Sequence, residues 1–107
     1  MNGFELAFYT EENRKHDGTP LGQWILKKAR SLGAPGGSLS TCAEGFGHDG
    51  KMHSAGFVDL ADRPILVSVI ASNDTCEALL KALDEASVEV FYTRSATIFC
   101  RIGRNRS

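Results

Sequence analysis

The sequence predicts an α+β fold in which two helices pack against one sheet, on three observations. Period-two hydrophobicity opens and closes the chain, at Phe4, Leu6, Phe8 and at Val88, Val90, Tyr92 followed by Ala96, Ile98, Cys100, Ile102. Two segments carry apolar residues at helical spacing, Leu21 to Leu32 and Cys76 to Leu83. Between them lie two strand-like runs around a glycine-rich stretch. The resulting order, βαββαβ with each helix offering one apolar stripe to one sheet, is that of the ferredoxin-like split βαβ sandwich.

Each element has its own local reason. Phe4, Leu6 and Phe8 alternate with Glu5, Ala7 and Tyr9, which suits a half-buried first strand. Residues 10–18 are dense in charge and lead to Thr19-Pro20, where threonine suits a helix cap and proline the first turn. Leu21, Trp24, Ile25, Ala29 and Leu32 then share a helical face, which makes Trp24 a core residue, and Gly33 is a left-handed stop. Residues 38–43 read as the second strand and residues 55–60 as an extension of its hairpin. Residues 65–70 are nearly all apolar, the mark of a strand buried on both faces. Asp74 and Glu77 have capping-box spacing ahead of the stripe Cys76, Leu79, Leu80, Leu83, and that helix ends near Ala86. The closing alternation is broken at Thr93-Arg94-Ser95, read as a bulge or bend.

Size and charge exclude several function classes. The chain has 107 residues, enough for a single domain over 1–107. A hydrophobic share of 42% with 23% charged residues is that of a folded domain, and a net charge of −1 offers no general attraction for nucleic acid. No apolar run approaches the roughly eighteen residues of a membrane span, and the N-terminus lacks the layout of a signal peptide. A cytoplasmic protein without direct membrane insertion is expected. Cys42, Cys76 and Cys100 are odd in number and widely spaced, so reduced structural thiols are expected. The basic tail, about residues 103–107, reads as a solvated terminus.

The segment Glu44-Gly45-Phe46-Gly47-His48-Asp49-Gly50-Lys51-Met52-His53 carries most of the chemistry. Glycine admits positive φ and close approach, so amides around Gly45 and Gly47 can form an anion-binding concavity. Phe46 offers a stacking surface and Lys51 a countercharge. The string also spells G-x-G-x-x-G, but no helix pattern follows it, so it is read as a loop and not as a dinucleotide fingerprint. His16, His48 and His53 with Asp17 and Asp49 offer metal-ligand chemistry at undiagnostic spacing. His16 is read as ordering the turn before the first helix. Cys42 and His53 are conceivable as nucleophile and base across the hairpin, but Cys42 alternates within a strand and reads as a small core residue, and no paired carboxylates stand out, so no enzymatic activity is assigned. Arg101 alternates with Cys100 and Ile102 and is expected to project from the opposite sheet face toward a ligand.

Lys15-His16-x-Gly18-x-Pro20-Leu21, Gly45-Phe46-Gly47, His53-Ser54-Ala55 and Pro64-Ile65, in that order, resemble the PII-like proteins of the domain of unknown function 190 family. The resemblance runs from about Phe4 to Ile102. It implies a ferredoxin-like homotrimer in which residues 45–63 form a mobile loop whose base lies in a cleft between subunits. In PII proteins that cleft binds adenine nucleotides, and the loop regulates a transporter, an enzyme or a transcriptional partner. Two positions depart from the pattern. Thr41-Cys42 stands where an Arg-Gly pair is common, and Glu85-Ala86-Ser87-Val88-Glu89 replaces the glycine-and-lysine phosphate loop.

The sequence reading is therefore a PII-like signalling homotrimer, not an enzyme. Its small anionic effector is an adenine nucleotide (ATP, ADP or AMP), held by Gly45, Phe46, Gly47, Lys51, His53 and Arg101, and its loop speaks to a protein partner. The alternatives are a trimer resembling the CutA proteins, binding a divalent metal through His48, Asp49 and His53, and an interaction module without a small ligand.

Overall fold

The computed structural model describes residues 1–45, 53–54 and 63–103. In chain order the elements are β1 (Asn2–Glu11), β2 (Lys15–His16), β3 (Thr19–Pro20), α1 (Leu21–Ser31), β4 (Gly36–Thr41), β5 (Glu44–Gly45), β6 (His53–Ser54), β7 (Pro64–Ala71), α2 (Asn73–Glu85) and β8 (Phe91–Ile98). Four strands make one antiparallel sheet in the order β4-β7-β1-β8. That is the order of the ferredoxin-like fold, the class expected from the sequence.

Register follows from the alternation. Leu6 pairs with Val69 and Phe8 with Val67, so these four side chains share the helix-covered face and are fully buried. Leu21, Ile25 and Ala29 of α1 and Cys76, Leu79 and Leu83 of α2 close over them to complete one core. Burial at roughly 25 cal/mol per Å² of apolar surface makes this contact the main stabilising term. Within it, loss of solvation pushes the Cys76 thiol above its ordinary pKa of 9.0. Its sulfur sits 3.6 Å from the Ala71 carbonyl oxygen.

Among the described residues, no helix covers the other face of the sheet. Tyr9, Leu66 and Phe91 form a row across it, and Phe91 is 52% exposed. Ser68 donates to the Glu5 carboxylate at 2.7 Å on the same face. β7 is thus fully buried only at Pro64, Ile65, Val67, Val69 and Ala71, with Leu66, Ser68 and Ile70 half-buried. The expectation of burial on both faces is corrected accordingly.

Other local expectations also change. Thr19 does not cap α1. It sits in β3 opposite His16, Pro20 holds the cap position without a side-chain bond, and the first helical amide, Leu21 N–H, donates to the Arg14 carbonyl at 2.8 Å. The cap of α2 is Ser72, whose Oγ accepts from Thr75 N–H, so the Asp74 and Glu77 spacing lies two residues too late. Thr93, Arg94 and Ser95 pair in unbroken register with Ala7, Leu6 and Glu5, and no bulge is present there. Gly33 does end α1, with φ +92°, and α2 ends at Ala86 as expected. The hairpin extension expected over 55–60 lies outside the described residues.

Candidate functional site

Sheet ends are where backbone groups lose their ladder partners, and in this fold one end gathers most of the connections. β1 finishes there at Glu11, β4 at Thr41, and β7 begins at Pro64. Two main-chain bonds lock the root of the 45–63 segment to this end. Cys42 N–H donates to the Pro64 carbonyl at 2.8 Å and Glu12 N–H to the Arg63 carbonyl at 2.9 Å. Beyond them β5 and β6 continue the hairpin, with Glu44 opposite Ser54 and Gly45 opposite His53. Two of the expected site residues, Gly45 and His53, are therefore cross-strand partners at the root.

Phe46, Gly47 and Lys51 lie outside the described residues, as do His48 and Asp49 of the metal alternative. Among the described residues, no three His, Cys, Asp or Glu side chains stand close enough to hold a metal ion.

Arg101 is placed differently from expectation. β8 ends at Ile98, Phe99 exchanges two main-chain bonds with Met1 at 2.8 and 2.9 Å, and the chain then leaves the sheet. Arg101 is not on a sheet face. It borders a groove of about 370 Å³ with Pro35, Gly36, Ile70, Phe99 and Cys100. Gly36 pairs with Ile70 at one end of β4, while Thr41 pairs with Ile65 at the other. Five residue steps at about 3.3 Å put these ends roughly 17 Å apart, so Arg101 does not meet Gly45 and His53 within one copy.

Other side chains stand at the root instead. The segment after β1 folds into a two-residue hairpin, β2 to β3, through Asp17 (φ +49°) and Gly18 (φ +79°). Positive φ at both positions is the primed turn that matches strand twist, and Asp-Gly is its common sequence. That dipeptide was the available signal for a hairpin the charge pattern concealed. The His16 ring meets Trp24 of α1 edge-on at 4.7 Å and lies 3.4 Å from the Asp17 carboxylate. His16 thus orders the turn, as expected, and Trp24 is half-buried beneath it with Lys28 Nζ 5.7 Å from its ring centre. Arg14, just before the hairpin, reaches across to donate from Nη2 to the Glu89 carbonyl at 2.5 Å.

The connector after α2 uses its own amides. Val88 N–H bonds to the Leu83 carbonyl and Ser87 N–H to that of Asp84, both at 3.0 Å, the paired bonds of a Schellman ending, with Ser87 in the left-handed region at φ +58°. These two donors are occupied within the turn and do not form a phosphate cradle. Among the described residues, two buried polar atoms, Thr10 Oγ1 and Arg63 Nε, have no hydrogen-bond partner. Both belong to the loop end of the sheet, since Thr10 pairs with Ile65.

The model of the DUF190 family, described as an uncharacterized conserved family, matches residues 3–97. The chain belongs to the DUF190 family. Solved structures share its fold at low identity. CPII, a nitrogen regulatory PII-like protein from Thiomonas intermedia bound to ADP, AMP and bicarbonate, superposes with a TM-score of 0.67 at 13% identity, covering 91% of this chain and 87% of that one. A second CPII structure, bound to ADP and bicarbonate, gives 0.62 at 14% identity over 91% and 87%. A protein of Thermus thermophilus, classed as PII-like and signalling, gives 0.65 at 15% identity over 91% and 88%. This DUF190 chain thus has the PII-like form of the ferredoxin-like fold.

Proposed function

We propose that this DUF190 protein is a PII-like regulator that binds a small anionic effector, an adenine nucleotide, between the subunits of a cytoplasmic homotrimer. The observation that carries the reading is the root of the 45–63 segment, where a glycine, Gly45, pairs with His53 across a two-stranded ladder tied to the sheet end. A bare backbone beside a polar residue, followed by Phe46, Gly47 and Lys51, suits a ligand with a flat ring and an anionic end. CPII, which shares the fold, is described with ADP, AMP and bicarbonate bound.

The placement of Arg101 fits a shared site. Since it lies at the other end of the sheet from Gly45 in its own copy, its guanidinium reaches a ligand at the root only from a neighbouring copy. The effector then acts by population shift, stabilising the loop arrangement it prefers in proportion to its differential affinity, and a protein partner, a transporter or an enzyme, reads that arrangement.

Calorimetric titration with ATP, ADP, AMP, adenosine and zinc tests this. At a hundred times its dissociation constant a true effector stabilises by about 2.7 kcal/mol, which a thermal-shift measurement detects. Gly47→Val is expected to weaken nucleotide binding in a folded trimer, Arg101→Ala to weaken triphosphate more than adenosine, and His48→Ala to change little. Binding of zinc alone, lost only in His48→Ala, would overturn the nucleotide reading in favour of the metal one.

A further inference from the structure

Residues 12–14 join more of the fold than their length suggests. Glu12 N–H holds the Arg63 carbonyl at the loop root, and Arg14 N–H holds the Glu11 carbonyl at the end of β1. The Arg14 carbonyl receives the first amide of α1, from Leu21. The Arg14 side chain takes the Glu89 carbonyl, 75 residues away, in the connector between α2 and β8. Of these bonds, three use backbone that any residue supplies. The fourth depends on the side chain, and it ties this node to the α2–β8 connector.

From this arrangement we infer that Arg14 is a positioning residue for the effector site, coupling the loop root to the α2–β8 connector, a role that rests on reading this sheet end as the site. The physical basis is geometric. The connector's amides at Ser87 and Val88 are consumed in the helix ending, so its outward link here runs through the Glu89 carbonyl, and a cationic donor makes the stronger, charge-assisted kind of bond to it. A short link between two loops narrows the set of positions each can take, and a ligand that needs one of those positions then meets a site already arranged. The contact to Glu89 is made from Nη2, and a positive donor of sufficient length can make that same bond.

Native-state hydrogen exchange of the full chain, without ligand, measures the coupling directly, through the Glu12 and Cys42 amides whose acceptors are the Arg63 and Pro64 carbonyls. Arg14→Ala is expected to speed exchange at both amides about threefold to tenfold, as loss of one such bond does, with the central amides of α1 and α2 unchanged. Arg14→Lys is expected to restore most of the protection. If Arg14→Ala alters exchange only around Glu89 while Glu12 and Cys42 exchange as in the wild type, the coupling does not exist. Should the alanine variant fail to fold, Arg14→Gln takes its place under the same two outcomes. Titration of the same variants with ADP and AMP separates the two claims. A wild type that binds neither nucleotide sinks the proposed function and leaves the exchange result standing. A wild type that binds, with Arg14→Ala matching it in affinity and exchange, sinks the role of Arg14 alone. Weakened affinity in the alanine variant, recovered in the lysine one, is the result expected.

Discussion

The guanidinium of Arg94 lies 4.1 Å from the centre of the Phe4 ring, and the two residues sit on neighbouring strands, β8 and β1. From there Arg94 donates to Asn73 Oδ1 at 2.7 Å and to the Glu77 carboxylate at 3.3 Å, both on α2. One side chain therefore binds the edge strand to the helix above it. Arg94→Ala is expected to lower stability by about 1–2 kcal/mol, more than a surface ion pair alone provides, because the stacked contact goes too. Arg94→Lys should recover only part, since an ammonium lacks the planar face and has one nitrogen where the guanidinium uses two. Urea unfolding of the two variants checks the order.

Ser87 holds a left-handed conformation that costs a residue with a Cβ about 1 kcal/mol or more, at the position where helix endings favour glycine. Ser87→Gly is expected to raise stability by about 0.5–1 kcal/mol, the gain being reduced by the greater freedom of glycine in the unfolded chain. A rise in the urea midpoint without a change in slope is the expected result, and a fall would mean that the serine hydroxyl makes a contact worth more than the strain.

Thr10 is 4% exposed and its hydroxyl has no partner among the described residues. Thr10→Val keeps the shape and removes the buried polar atom, so a gain of about 1 kcal/mol is expected in thermal or chemical unfolding. Destabilisation would show that a bound water or the effector itself satisfies the hydroxyl.

Burial raises the Cys76 pKa, so the folded state retains its proton at a pH where the unfolded chain has lost it. The sign follows from linkage. As pH rises through the unfolded value, near 9.0, the unfolded chain gives up the thiol proton first, which favours unfolding, and the loss of stability continues until pH reaches the raised folded value. Stability measured between about pH 8 and 10 should therefore fall more steeply in the wild type than in Cys76→Ala, although the variant starts lower because of its cavity. Parallel slopes would contradict the assignment.

Tyr9, Leu66 and Phe91 line the sheet face left uncovered by the two helices, with the Tyr9 and Phe91 rings 5.6 Å apart. A homotrimer that buries this row is expected, and light scattering should report three copies at micromolar concentration. Phe91→Glu, placing a charge in the row, should shift the population toward monomer. A wild type that stays monomeric on concentration removes the shared site proposed for Arg101.

Periodicity was enough to read the four long strands and the two helices but not their ends, since the last strand begins at Phe91 and not Val88, and it did not reveal the short hairpin of β2 and β3. Phe4, Leu6, Phe8 and the stripe of Cys76, Leu79 and Leu83 needed only one face each to be apolar, and burial then chose that face. Gly33 was equally legible because a positive φ favours one residue type above all. Where two local choices competed, the sequence pattern did not decide. Ser72 and Asp74 both suit a helix cap, and the main chain turned at the serine. Thr19 suited a cap as well, but pairing with His16 took it into a hairpin that Asp17-Gly18 encodes locally.

Through the alternation of its residues and the order of its elements, the sequence by itself determined the fold class, the two helix faces and the place of the glycine-rich segment between the second and third long strands in chain order. Only the tertiary structure decided what stands at the root of that loop. Alternation continues past Ile98 to Ile102, but a strand lasts only while a neighbour takes its main-chain groups, so Arg101 left the sheet. Arg14 carries no pattern that marks it. The contact it makes to the α2–β8 connector is to a backbone carbonyl 75 residues away, and a carbonyl has no side-chain identity for a sequence to display.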